Sequence, residues 1–216
     1  MNAPSTNGGN IFQALRRIAR PQSGEEQCDF CNAVLGPKHR HLLEVSTRKL
    51  VCVCDPCALR FENVIGRWKL VPRDAAPLPD FRMSDEEWET LALPINLAFF
   101  FQSTPAQKVV AMYPSPAGAT ESLLPLTRWE RLVVDNPVLA SLQADVEALL
   151  VNRLGSTRDY YRAPLDLCFE LVGLIRIHWR GLSGGDGVWT EVEKFFAELK
   201  GASEATPSIA QEVADA

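Results

Sequence analysis

The sequence predicts an α+β protein in which a small treble-clef or zinc-ribbon-like metal module precedes an α+β domain with a small antiparallel sheet and a buried helix. Two observations indicate this fold class. Five of the six cysteines lie between residues 28 and 57, and the chain beyond them alternates short apolar runs with helical patterns. The length of 216 residues suits one small module followed by one compact domain.

Four of the cysteines form two CxxC pairs separated by 22 residues; these cysteines are Cys28, Cys31, Cys54 and Cys57. A CxxC turn directs two thiolates at one centre, and two such turns complete a tetrahedral four-sulfur shell. The pattern therefore predicts a structural Zn²⁺ ion. Iron in a rubredoxin-like site and a redox dithiol are the alternatives. In a reducing cytosol, clustered CxxC thiols bind metal more often than they form disulfides. We expect the protein to be cytoplasmic.

Three further residues near the two pairs have side chains that can bind a metal ion: Cys52, His39 and His41. Cys52 precedes Cys54 by two residues on an extended segment, so the two side chains face the same side. We interpret Cys52 as a buried thiol beside the metal, with replacement of Cys54 as a ligand, redox chemistry or a second metal as alternatives. His39 and His41 also share a face. We expect them beside the site or at the surface, because four thiolates already fill the shell.

The metal module is expected over residues 22–72. Residues 41–45 and 49–53 have strand patterns, and residues 58–63 have a helical pattern directly after the second CxxC pair. Each CxxC turn is called a knuckle below. The order of knuckle, hairpin, knuckle and helix is that of a treble clef, whereas a zinc ribbon would continue into another strand after the second knuckle. Asn32 follows the first pair, where such turns often require a left-handed residue that Asn tolerates.

Residues outside the module divide into three segments. Residues 1–21 are expected to form a flexible start and a short amphipathic helix, residues 73–201 the α+β domain, and residues 202–216 a disordered tail. Three prolines between residues 72 and 79 indicate a linker. Within the domain, Ser84 and Glu87 form a capping box for a helix over 85–91, and residues 95–102 and 108–113 have strand patterns.

The second half of this domain contains an ambiguous apolar run at 146–151, which its length leaves open between strand and helix. A buried helix is predicted over 165–179, and an amphipathic helix over 188–200. Residues 113–121 are predicted to form a long, turn-rich loop that includes Ser115, Thr120 and Glu121. Since neither a phosphate-binding glycine pattern nor a nucleophile elbow is present, we expect a structural or partner-binding role for it.

Composition excludes several classes of function. No run approaches 18 apolar residues, so we expect no membrane-spanning helix, and Arg16-Arg17 is not followed by the apolar segment of an export signal. The net charge of the chain is −5. Residues 11–73 contain eleven Lys and Arg against six Asp and Glu, so the remainder of the chain is acidic. That acidic remainder argues against a nucleic-acid partner. No catalytic constellation is evident, so an enzymatic activity is not expected.

Several segments together carry a resemblance to a known family. They are Arg-Arg-Ile-Ala-Arg-Pro at 16–21, the CxxC pair at 28–31, His-Arg-His-Leu-Leu-Glu at 39–44, Cys-Val-Cys-Asp-Pro-Cys-Ala at 52–58, Leu-Ala-Phe-Phe-Phe at 97–101, Tyr-Pro-Ser-Pro-Ala-Gly-Ala-Thr-Glu-Ser at 113–122 and Glu-Leu-Val-Gly-Leu-Ile-Arg-Ile-His-Trp-Arg-Gly-Leu at 170–182. Over roughly 14–200, the chain resembles an uncharacterised family encoded beside actinobacterial-type, oxygen-tolerant [NiFe]-hydrogenases.

The resemblance implies an accessory role in hydrogenase assembly, metal-centre insertion or electron transfer. The implied partners are hydrogenase subunits or another maturation protein. The four-cysteine pattern is also similar to the zinc modules of hydrogenase nickel chaperones. The Met-His-Glu nickel site of those chaperones is missing, since Met1 is followed by Asn2 and Ala3. A rubredoxin-like or thiol redox protein serving the hydrogenase is the alternative function.

Overall fold

The computed structural model describes residues 26–62, 64, 66–122, 129–181 and 184–204. The predicted flexible start and helix within residues 1–21, and residues 205–216 of the predicted tail, lie outside the described residues.

The metal module contains a three-stranded antiparallel sheet in the order β2-β1-β3. Its strands are β1 (Arg40–Glu44), β2 (Lys49–Val53) and β3 (Trp68–Leu70), and helix α1 (Asp55–Phe61) follows β2. The predicted order of knuckle, hairpin, knuckle and helix is present, and β3 adds a third strand beside β1. Helix α1 begins earlier than predicted because Cys54 is its N-cap and Pro56 suits its first turn.

A six-stranded antiparallel sheet in the order β4-β9-β8-β5-β6-β7 forms the centre of the remaining chain. Its strands are β4 (Ala76–Pro77), β5 (Leu97–Ser103), β6 (Lys108–Ser115), β7 (Gly118–Glu121), β8 (Glu147–Asn152) and β9 (Asp159–Pro164). The ambiguous apolar run at 146–151 is thus mostly strand, paired on one side with β5 and on the other with β9. Together with the helices, the two antiparallel sheets confirm the predicted α+β class.

Helices cover both faces of the large sheet. They are α2 (Asp85–Glu89), α3 (Trp129–Asp135), a 3-10 helix (Pro137–Ser141), α4 (Leu165–His178) and α5 (Asp186–Glu204). Along β5, Phe99 and Phe101 pack with α4 and α5, while Phe100 packs with the other helices. Burial on both faces explains why β5 is continuously apolar rather than alternating. In the described part of the chain, no helix combines the length and apolar character needed to cross a membrane.

Strand β1 joins the metal module to the large sheet. Leu42 and Leu43 are adjacent and both fully buried, but Leu42 belongs to the small core of the module and Leu43 to the core beneath α4 and α5. Neighbouring residues of a strand point to opposite faces, so β1 is covered on both sides. Lys69 of β3 also donates to the Asp145 carboxylate at 2.7 Å. The module is therefore docked onto the sheet through apolar and polar contacts.

The linker predicted at 72–79 is wrong for its second half. Ala76 and Pro77 pair with β9, and the Leu78 amide donates to the Tyr160 carbonyl at 2.8 Å. Strand β4 lies at the edge of the sheet, where a proline lacking an N–H group is tolerated.

The long loop predicted at 113–121 is also wrong, because β6 and β7 form a tight hairpin there. Pro114 pairs with Ala119, beyond Met112, which is the last residue of β6 paired with β5. The missing proline N–H therefore removes no ladder bond to β5. The Ser115 hydroxyl donates to the Gly118 carbonyl at 3.0 Å and accepts from the Ala117 amide at 3.2 Å. The Ser115 side chain therefore stabilises the turn.

The helical C-terminal segment extends beyond its predicted end. Helix α5 reaches Glu204, so residues 202–204 are helical and do not belong to a disordered tail.

Replacement of Leu43 by Ala should lower the free energy of unfolding by about 2–5 kcal/mol, because it opens a cavity between the module and the sheet. Urea unfolding followed by circular dichroism measures the change. Leu59→Ala is the control, since Leu59 is 66% exposed on α1 and its truncation should alter stability by no more than about 0.5 kcal/mol. Equal midpoints for the two variants would contradict the docking described for β1.

Candidate metal centre

The first knuckle is a tight turn closed by backbone hydrogen bonds. The Cys28 amide donates to the Ala33 carbonyl, and the Asn32 amide donates to the Cys28 carbonyl, each at 2.8 Å. Asn32 adopts a φ of 59°, which confirms the left-handed conformation predicted for it. This backbone path turns the Cys28 and Cys31 side chains toward one point.

The second knuckle is the first turn of α1. Cys54 is the N-cap, and the Ala58 amide donates to its carbonyl at 2.9 Å. Residues three apart in a helical turn are neighbours on one side, so Cys57 lies beside Cys54. The helix that the sequence places after this knuckle thus also positions its two sulfurs.

The two knuckles bring four thiols together in a group that we call the four-cysteine cluster: Cys28, Cys31, Cys54 and Cys57. Their Sγ atoms all lie within 4.8 Å of one another, and those of Cys31 and Cys54 are 3.6 Å apart. A tetrahedral ion with metal–sulfur bonds of about 2.3 Å requires sulfurs separated by roughly 3.8 Å. None of the cysteines forms a disulfide. The donor set therefore fits a metal ion with four thiolate ligands.

The four-cysteine cluster shifts the pKa values of two of its thiols in opposite directions. Desolvation opposes ionisation of Cys28, but backbone hydrogen bonds, that of Cys54 first, outweigh it and lower the pKa of the thiol to about 6. Desolvation, followed by hydrogen bonds to neighbouring sulfurs, raises the pKa of Cys57 to about 12. One thiolate thus hinders formation of the next, and a bound cation would stabilise all four together.

A small apolar core lies against the cluster. Phe30, within the first knuckle, packs on Phe61 with ring centroids 4.3 Å apart and meets Trp68 edge to face at 5.3 Å. A core of this size is marginal by itself, so a metal ion would contribute directly to folding of the module.

Cys52 and the two histidines predicted near the site form a separate group, which we call the His–Cys cluster. Its members are His39, His41 and Cys52, and one ligand atom from each lies within 4.8 Å of the others. The Asp29 carboxylate accepts from the Cys52 amide at 2.7 Å, which links the first knuckle to β2 beside this cluster. The structure thus places the predicted residues in two adjacent groups.

Asp166 is a site residue that sequence reasoning missed. Its carboxylate lies 2.7 Å from Nδ1 of His41, although the two residues are 125 positions apart. Hydrogen bonds to Asp166 first and to Cys52 second raise the pKa of His41 to about 10, against the opposing effect of burial. No local pattern around Asp166 indicates this contact, which arises from docking of the module onto α4.

A separate groove of about 670 Å³ is lined by residues that include Arg153, Arg158 and Tyr160. The Arg153 guanidinium is nearly buried, donates to the Tyr160 hydroxyl at 2.7 Å and to the Met83 carbonyl at 3.0 Å, and pairs with Asp85. These contacts hold the guanidinium in a structural network, so we place the candidate function at the cysteines instead.

In a comparison with protein-family models, residues 27–203 match a family of unknown function (DUF5947). Comparisons with curated proteins and with solved structures give no significant match.

Replacement of Cys54 by Ser should abolish metal binding at the four-cysteine cluster and unfold the module, because a structural metal ion contributes on the order of 10 kcal/mol of apparent binding free energy. Hydrogen exchange over residues 26–72 and elemental analysis measure the two effects.

Cys168→Ala is the matched control, since Cys168 is fully buried beneath the large sheet and away from the four-cysteine cluster. A Cys54→Ser protein with full metal content and a protected module would show that the cluster does not hold the ion.

Proposed function

The chain belongs to the family of unknown function DUF5947, and we propose that it is a zinc-binding accessory protein that assists [NiFe]-hydrogenase assembly or maturation through protein–protein contacts. The observation that carries the proposal is the four-cysteine cluster, whose sulfurs all lie within 4.8 Å of one another. Its ligands leave no open position, which is typical of structural rather than catalytic zinc.

Zinc is favoured over iron by the way the second knuckle continues. Cys54 and Cys57 belong to the first turn of α1, as in a treble clef. A rubredoxin-like site has two similar knuckles, and a helix starting at the second one argues against that arrangement here. Zn²⁺ also has no redox chemistry, which suits a module whose task is to hold a binding surface in shape.

Contact with another protein is supported by exposed apolar side chains on the module. Val34 is 58% exposed just after the first knuckle, and Leu59 is 66% exposed on α1. Apolar groups that a rigid element holds at the surface contribute to recognition with little loss of entropy. The proposal that the protein serves a hydrogenase rests on a resemblance to a hydrogenase-linked family, carried by segments that include 39–44, 52–58 and 113–122.

Protein purified from its native host should contain zinc at the four-cysteine cluster and show no visible absorption, because zinc–thiolate complexes are colourless. Elemental analysis and an absorption spectrum test this. Stoichiometric iron with strong visible absorption would replace the zinc assignment with the redox alternative.

Deletion of the gene should lower hydrogenase activity, and the wild-type gene should restore it. Hydrogenase assays in the native host, with Cys54→Ser as the inactive complement and Cys168→Ala as the active control, measure the effect. A pull-down should recover hydrogenase subunits or a maturation protein. Full hydrogenase activity in the clean deletion strain would reject the accessory role while leaving the metal assignment intact.

A further inference from the structure

The His–Cys cluster lies where the module meets the large sheet. His41 of β1 is directly opposite Cys52 of β2 in the strand register, and His39 precedes β1 by one residue. The two imidazole rings have centroids 4.7 Å apart. One ligand atom from each of the three residues lies within 4.8 Å of the other two. Antiparallel pairing thus holds two imidazoles and a thiol around one point.

His39 presents a buried nitrogen that has no hydrogen-bond partner. Its Nδ1 lies 3.0 Å from the Gly36 carbonyl and 3.4 Å from a Glu26 carboxylate oxygen. Both neighbours are acceptors, so in the neutral imidazole the proton lies on Nδ1 and Nε2 has the lone pair. The side chain is only 8% exposed, and Nε2 is buried without a partner among the described residues. An unsatisfied buried acceptor is costly, and a metal ion would be a suitable partner for it.

His41 is oriented in a similar way by a different acceptor. The Asp166 carboxylate lies 2.7 Å from Nδ1, which leaves Nε2 as the nitrogen available to a ligand. One ligand atom of His41 lies within 4.8 Å of the Cys52 Sγ atom. A histidine that binds metal commonly donates its other ring N–H to a carboxylate or a backbone carbonyl. His41 has a carboxylate as this acceptor, and His39 has a backbone carbonyl.

We propose that His39, His41 and Cys52 form a second metal site, distinct from the four-cysteine cluster, for a borderline-soft divalent transition-metal ion of the Zn²⁺ type. Two imidazole nitrogens and one thiolate favour such an ion over Mg²⁺ or Ca²⁺, which require oxygen ligands. Three protein ligands leave a fourth position open to water or to a partner's ligand. Binding of the ion would displace the second ring proton of His41, because a metal-ligating imidazole is neutral.

The second site would couple metal binding to docking of the module. Its ligands come from the module, whereas Asp166, which orients His41, lies on α4 of the main body. Removal of the orienting carboxylate of a metal-bound histidine typically lowers metal affinity by about 10–100-fold. Asp166 is therefore a positioning residue for this site.

The test starts from full-length protein that already holds one Zn²⁺ ion at the four-cysteine cluster. Further Zn²⁺ is added, and the number of zinc ions bound per chain is measured after gel filtration. We expect two ions per chain for the wild type and one for both His39→Ala and Cys52→Ala. The matched controls His178→Ala and Cys168→Ala should keep two, because His178 bonds the Leu174 carbonyl of its own helix and Cys168 is buried in the sheet core.

Co²⁺ added to the zinc-loaded protein provides a second readout. A thiolate-to-cobalt absorption band should appear in the wild type and be absent from Cys52→Ala, and Asp166→Asn should weaken Co²⁺ binding about 10–100-fold. Circular dichroism and retention of the first zinc show that each variant is folded. Saturation of the wild type at one ion, or unchanged stoichiometry in both folded ligand variants, would overturn the proposal and leave His41 as a structural partner of Asp166.

Discussion

Burial of strand β1 on both faces is the constraint on which the rest of the structure depends. The module is too small to enclose a large core, so it uses one side of β1 for its own interior and the other for docking on the large sheet. Leu42 and Leu43 are both fully buried in separate cores. Because side chains alternate along a strand, the same geometry that buries Leu43 directs His41 toward α4 and Asp166.

The four-cysteine cluster adds a second, electrostatic constraint. Backbone hydrogen bonds outweigh desolvation and lower the pKa of Cys28 to about 6, whereas desolvation and then the neighbouring sulfurs raise the pKa of Cys57 to about 12. Thiolates that the two tight turns draw together would repel one another. A bound cation would convert this repulsion into attraction and would couple metal binding to folding of the module. The surrounding aromatic packing of Phe30, Phe61 and Trp68 then keeps the knuckles in place.

The junction between module and body also concentrates polar groups that apolar packing alone would not require. Besides the contact of His41 with Asp166, Lys69 donates to the Ala144 carbonyl at 2.9 Å and to Asp145, and Arg48 donates to Glu121 at 3.1 Å. Such paired groups fix the orientation of the module relative to the sheet, since buried or half-buried charges are stable only with their partners in place. The two groups of potential ligands therefore lie on a rigid support.

The sequence by itself determined the features that depend on neighbouring residues. CxxC spacing predicts both knuckles, and Asn32 predicts the left-handed turn of the first one. Ser84 with Glu87 predicts a capping box, whose reciprocal hydrogen bonds are present. Tertiary structure alone decided the features that depend on distant residues. Cys52 joins His39 and His41 because of strand register, and Asp166 joins them because helix α4 packs beneath the module. The edge position of β4 and the tight turn after β6 likewise depend on which strands lie beside them, because a proline is tolerated in a sheet wherever its missing N–H faces no partner.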